Sequence, residues 1–218
     1  MRPSRRSLAA TGGAAAVVYL AAMAADLRPL RLLAKPVPVL ALAAWVVAAA
    51  PTALGRLVAA GLLLSALGDL LLELGLFLPG LVAFLSAHLV YVAAFVSVER
   101  RPALARALPF GAWGVLALAV LRPGLGGMAV PVTVYVAVVC TMMWRAAARV
   151  GSASAPFPAA WLGLLGAVAF GASDTLIAFD RFRAPLPGVA LPVMALYWLG
   201  QHGIAASAVR ACGMLRER

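Results

Sequence analysis

The sequence predicts an all-α, polytopic membrane protein: one domain, residues 1–218, of eight transmembrane helices with a weak repeat of two four-helix halves. Three observations carry that prediction. The chain of 218 residues is 65% hydrophobic and 11% charged, with a mean hydropathy of +1.02; soluble domains run near 45–50% apolar and about 25% charged. Apolar runs of near-spanning length follow one another along the whole chain, with Pro and Gly at the joints. Ionisable side chains are set inside two of those runs, where a carboxylate costs about 2.5–3.5 kcal/mol on insertion scales and usually faces a partner or a cavity.

Taken in order, Met1–Arg6 is basic and Ser7–Ala25 is apolar. Ser4-Arg5-Arg6-Ser7-Leu8 resembles a twin-arginine export signal, and Ala22-Met23-Ala24 a cleavage site. The run is long enough to span, and a chain apolar throughout needs no soluble-export signal, so it is read as the first helix. The remaining spans are expected at Pro36–Ala50, Leu54–Leu74, Gly75–Val98, Leu104–Leu121, Met128–Ala148, Pro158–Ala178 and Pro185–Val209. Pro36–Ala50 is short and calls for tilt or for extension into its flanks. Turns are expected at Pro79-Gly80, Arg122-Pro123-Gly124, Ala155-Pro156-Phe157-Pro158 and Pro185-Leu186-Pro187-Gly188.

The net charge of +11 would suggest nucleic acid in a soluble protein. Here the cations lie between apolar runs, so they set topology and meet anionic headgroups instead. No nucleic-acid partner is expected. With the N-terminus inside, the inner segments hold Arg2, Arg5, Arg6, Arg56, Arg100, Arg101, Arg106, Arg145, Arg149, Arg210, Arg216 and Arg218. The outer segments hold Arg28, Arg31, Lys35, Arg122, Arg181 and Arg183. The bias places both termini in the cytoplasm of a multi-pass protein, expected in a bacterial plasma membrane. Cys140 and Cys212 make neither a disulfide framework nor a metal knot.

The first polar stretch is Ser65–Tyr91. Ser65, Asp69 and Glu73 recur every four residues on one helical face, and Phe84, His88 and Tyr91 do the same on the next helix. The second is Gly171–Gln201, where Asp174 is followed by a Pro-Gly turn and then by Tyr197 and Gln201 on one face. Asp69 and Asp174 are each expected four or five residues from the outer boundary, or about 6–8 Å deep. Lys35 and Tyr135 fall in the outer parts of their helices, and His88, Tyr197 and Gln201 nearer the middle. The polar groups are therefore expected to converge on one cavity open to one leaflet.

Two carboxylates in a low-dielectric pocket supply an acid and a base. The same residues also suit proton or ion sites in a transporter, or a polar pair that merely holds helices together. No serine-nucleophile elbow is present. Zinc would draw on His88, Asp69 and Asp174, a set too rich in carboxylate to suit it, so no metal and no cofactor is expected. Lys35 reads either as an interfacial snorkelling lysine or as a counter-charge for a carboxylate or phosphate.

Lys35-Pro36, Gly68-Asp69 with Leu72, Phe84-x3-His88-x2-Tyr91, Phe170-x2-Ser173-Asp174 and Tyr197-x3-Gln201 together resemble the YhhN family of membrane proteins, the lysoplasmalogenase-like group. The resemblance runs from the second span through the eighth. It implies an eight-helix enzyme that hydrolyses the vinyl ether bond of lysoplasmalogens, a lysophospholipid substrate held among membrane lipids. The family's paired aspartates fall on Asp69 and Asp174. Asp174 is favoured as the acid and Asp69, with Glu73 nearby, as the base. Lys35, Glu73, His88, Tyr91, Tyr135, Ser173, Tyr197 and Gln201 are expected to bind the substrate, with the His, Tyr and Gln side chains orienting water and headgroup.

Overall fold

Apolar side chains with few breakers leave the backbone one solution in a bilayer, which is to satisfy its own hydrogen bonds as helix. The computed structural model describes residues 4–216. Its helices are α1 (Arg5–Ala24), α2 (Arg28–Ala34), α3 (Val37–Ala49), α4 (Ala53–Glu73), α5 (Phe77–Val98), α6 (Leu108–Leu125), α7 (Ala129–Ala148), α8 (Phe157–Phe182) and α9 (Ala190–Arg216). Short 3-10 turns at Leu104–Ala107 and Gly126–Met128 lead into α6 and α7. Among the described residues, six segments are long and apolar enough to cross a membrane, and one of them, Leu104–Ala148, contains both α6 and α7.

Several boundaries differ from expectation, each for a physical reason. The short second span does extend into its flank: α2 and α3 form one 22-residue apolar segment, Arg28–Ala49, interrupted only at Lys35-Pro36. Pro36 lacks the N–H that would continue the ladder, yet its fixed φ of −76° is already helical. Pro79-Gly80 is not a turn. Pro79 sits in the first turn of α5, where a missing N–H costs nothing, and the chain reverses at Gly75 with φ +82°. Pro123 likewise lies inside α6, which ends at Gly126, φ +49°. Gly124 packs against the Phe182 carbonyl so closely that a Cβ would overlap it. Helix α8 runs four residues past Ala178, to Phe182. The joints at Pro156 and at Pro185–Gly188 fall between helices as expected.

The chain divides into two compact units, residues 1–94 with 208–218, and residues 95–207. In the first, α1 lies on α3 where Gly12 faces Pro38 and Ala41, and α3 packs on α4. Helices α4 and α5 meet antiparallel through glycine. Gly61 receives the Tyr91 ring, Gly68 the Phe84 ring, and Gly80 the Leu72 side chain, three contacts in one constant register. In the second unit α8 and α9 approach backbone to backbone at Gly166, Gly200 and Gly203. Such contact replaces the hydrophobic drive that lipid does not provide. Leu121, Leu125 and Val132 form a buried cluster beside Phe179 and Phe182.

Candidate functional site

In the first unit the glycine register fixes the phase of α4. Ser65 (0% exposed) and Asp69 (2%) are buried, and Glu73 ends the helix half-buried. The same register brings His88 to the level of Leu64 and Ser65, itself buried, with Tyr91 and Phe84 buried on either side of it along α5. The Ser65 hydroxyl donates back to the Gly61 carbonyl at 2.9 Å.

The cations facing this end come from α2. Arg31 Nε donates to Glu73 Oε1 at 2.8 Å and Lys35 Nζ donates to Glu73 Oε2 at 3.3 Å. Arg31 Nη1 also donates to Asp26 at 2.9 Å. Lys35 Nζ lies 5.8 Å from the centre of the Tyr19 ring, and Asp69 is within its electrostatic reach. Lys35 is thus a counter-charge for carboxylates. Glu73 is held by two cations. Asp69 lies four residues before Glu73 on α4, about 6 Å along the axis from the helix end, and within electrostatic reach of Lys35.

In the second unit the Tyr135 hydroxyl donates to Asp174 Oδ2 at 3.0 Å, with Tyr135 itself buried. The neighbouring Thr175 accepts from Trp113 Nε1 at 3.1 Å and donates to the Gly171 carbonyl. Ser173 is buried and donates to the Val193 carbonyl at 2.9 Å, tying α8 to α9. Tyr197 stacks edge-on against Phe170, with centroids 5.3 Å apart, and Gln201 is fully buried on the same helix. Asp174 lies eight residues before Phe182, about 12 Å from the helix end, because α8 does not stop at Ala178.

A family model for the YhhN family matches residues 30–208. The chain belongs to the YhhN family. Every motif pair cited above, from Lys35-Pro36 to Tyr197 and Gln201, lies inside the matched range. Among curated relatives, human lysoplasmalogenase TMEM86B is 36% identical over 129 residues, 59% of this chain and 52% of the relative. Human lysoplasmalogenase TMEM86A is 35% identical over 133 residues, 59% of this chain and 53% of the relative. A lysoplasmalogenase of Mycobacterium tuberculosis is 31% identical over 122 residues, 53% and 44% respectively. The chain spans about half the length of the curated relatives it matches. No solved structure matches it.

Sequence reasoning missed Arg31, Tyr19 and Trp113. Arg31 was counted among outer-loop cations, yet it is a helix residue on the face of Lys35, one turn away. The signal was present: Arg31 and Lys35 are four apart in the flank of a run, Pro36–Ala50, too short to span alone. Tyr19 and Trp113 carry no such signal. Among the described residues no group of three His, Cys, Asp or Glu side chains is placed to hold a metal. His202, the second histidine, is exposed on α9.

Proposed function

We propose that this chain is a membrane-embedded hydrolase that cleaves the vinyl ether bond of lysoplasmalogen-type lysolipids. The products are a fatty aldehyde and a glycerophospho-headgroup compound. The observation that carries the reading is a YhhN match across residues 30–208 with buried Asp69 and hydrogen-bonded Asp174 inside it. The names of the matched relatives supply the substrate class.

The chemistry asks for little. A proton goes to the β-carbon of the vinyl ether, leaving an oxocarbenium ion at the carbon bonded to oxygen. Water adds there, loses a proton, and the resulting hemiacetal collapses to aldehyde and alcohol. Asp174, with the Tyr135 hydroxyl fixing one oxygen, is assigned the proton delivery. Asp69, with Lys35 within electrostatic reach, is assigned the water. Glu73, Arg31 and Lys35 form the polar end at which a zwitterionic headgroup is met. His88, Tyr91, Ser173, Tyr197 and Gln201 line the polar faces and orient water and headgroup. No metal enters this scheme.

We also place eight spans in the membrane as one domain, since Leu104–Ala148 holds two helices and α9 is 27 residues long. Both termini are assigned to the cytoplasm of a bacterial plasma membrane. Arg2 and Arg218, counted in that assignment, lie outside the described residues.

The test is purified protein in detergent with lysoplasmenyl and lysophosphatidyl lipids, scored for aldehyde. Asp69→Asn and Asp174→Asn are each expected to lose about 10²–10⁴ of turnover with the fold intact. Activity is expected to survive prolonged chelation. Loss to chelator with rescue by zinc would replace the carboxylate mechanism by a metal one. Absence of aldehyde together with substrate-coupled proton flux would make the chain a transporter.

A further inference from the structure

Arg149 follows the last residue of α7 and is fully buried, at 0% exposed. Its Nη1 donates to the Ser207 hydroxyl at 3.0 Å, and its guanidinium carbon lies 5.1 Å from the centre of the Phe95 ring. Gly163 makes the room: a Cβ there would stand 2.8 Å from Nη1 and 2.9 Å from the Ser207 oxygen. The other two nitrogens, Nε and Nη2, meet no acceptor among the described residues. They form one edge of the guanidinium plane, able to grip two oxygens of one oxoanion in parallel.

Among the described residues, none is a counter-ion to Arg149. Glu99 accepts from Ser152 and from the Arg101 backbone N–H, and it interacts with Arg145. Burial pushes the Arg149 guanidinium down to about 10, which still leaves it cationic at neutral pH. A buried, uncompensated charge costs several kcal/mol. Nothing in the proposed hydrolysis uses this residue. It lies fourteen positions along α7 from Tyr135, about 20 Å away, beyond the length of a lysolipid's glycerophosphate.

We infer that Arg149 is the anchor of a separate oxoanion site, in which its Nε–Nη2 edge takes two oxygens of one phosphate-type group, inorganic phosphate or the phosphodiester of a lipid headgroup. Ser207 and Phe95 fix the plane of the fork, and Gly163 keeps its back clear. Because no atom of Arg149 is exposed, entry requires local opening, and exchange is expected to be slow.

The full chain in detergent, freed of phosphate, is titrated with inorganic phosphate after long incubation, with chloride at matched ionic strength as the control. Saturable binding and a rise in Tm with phosphate but not with chloride are expected. Equal responses to both ions, or none, overturn the site. Arg149→Lys keeps the charge but loses the two-pronged edge, and is expected to weaken phosphate binding by at least about tenfold. Wild-type affinity in that variant overturns the proposal. Should it fail to fold, Ser207→Ala frees Nη1 and must change the affinity by about threefold or more; an unchanged affinity is equally fatal. A single-chain phospholipid that displaces labelled phosphate, when an uncharged single-chain lipid does not, identifies the headgroup as the source. Phosphate binding without such competition identifies the free ion. The readout is binding, so it stands or falls apart from aldehyde release.

Discussion

The two units treat buried charge in opposite ways. In the first, one carboxylate, Glu73, is answered by two cations, and Arg31 is shared further with Asp26. In the second, one guanidinium, Arg149, is answered by a hydroxyl and a ring. Both groups come from helix ends, and a count of Lys and Arg along the chain gives Arg31, Lys35 and Arg149 equal weight as markers of topology. The difference teaches that a cation in such a chain is understood from what it touches. Arg31 and Lys35 are committed to a carboxylate. Arg145 is committed to backbone, donating to the carbonyls of Glu99, Arg101 and Pro102. Arg106 does the same for Ala147 and Val150 at the end of α7. Among the described residues, Arg149 keeps two buried guanidinium nitrogens without a protein acceptor, where Arg145 keeps one.

The comparison breaks most visibly at Glu73. Glu73→Gln leaves Arg31 and Lys35 facing each other without their anion. The expected cost is about 2–3 kcal/mol, below the usual 3–5 for a sealed pair because Arg31 keeps 22% of its side chain exposed. Tm should fall by several degrees in a detergent melt. Adding Lys35→Gln should cost less than the two singles summed, since the pair shares one interaction. Strict additivity would mean that the contact carries no energy.

Gly163→Ala probes the other unit. Its Cβ meets both partners of the Arg149 hydrogen bond at under 3 Å, and overpacking of this kind costs about 1–3 kcal/mol. Gly13→Ala in α1, with nothing within 4 Å, is the matched control and should stay within about 0.5 kcal/mol. Equal melts for the two variants would deny that Arg149 is held where described.

The smallest effect concerns acid. The Ser152 hydroxyl, first, and the Arg101 backbone N–H hold the Glu99 carboxyl below its ordinary value of 4.5. A carboxylate with a lowered folded-state pKa stabilises fully above its unfolded value and loses that contribution as pH falls through the folded one. Wild-type protein should therefore lose stability below about pH 4.5 more steeply than Glu99→Gln, and Ser152→Ala should lie between them. Parallel acid melts for all three would remove Glu99 from the account.

Much of this was legible in the sequence. Mean hydropathy settled the helical class, because a backbone in lipid has few ways to satisfy itself. Period-four spacing put Ser65, Asp69 and Glu73 on one face, and Phe84, His88 and Tyr91 on another, since helical geometry is local. Tertiary structure decided what lies across from those faces. Glycine against ring at Gly61–Tyr91 and Gly68–Phe84 sets the α4–α5 register, and such a contact joins residues 30 and 16 positions apart, beyond any local pattern. Pro79 and Pro123 read as stops, yet both are carried inside helices, Pro79 in a first turn that needs no N–H, and the glycines that follow pack against Leu72 and the Phe182 carbonyl. Arg31 and Glu73, and Arg149 and Ser207, are 42 and 58 residues apart. The sequence by itself determined which charges had to be hidden or paired, because desolvation is a property of the side chain; only packing decided which of them would have a partner.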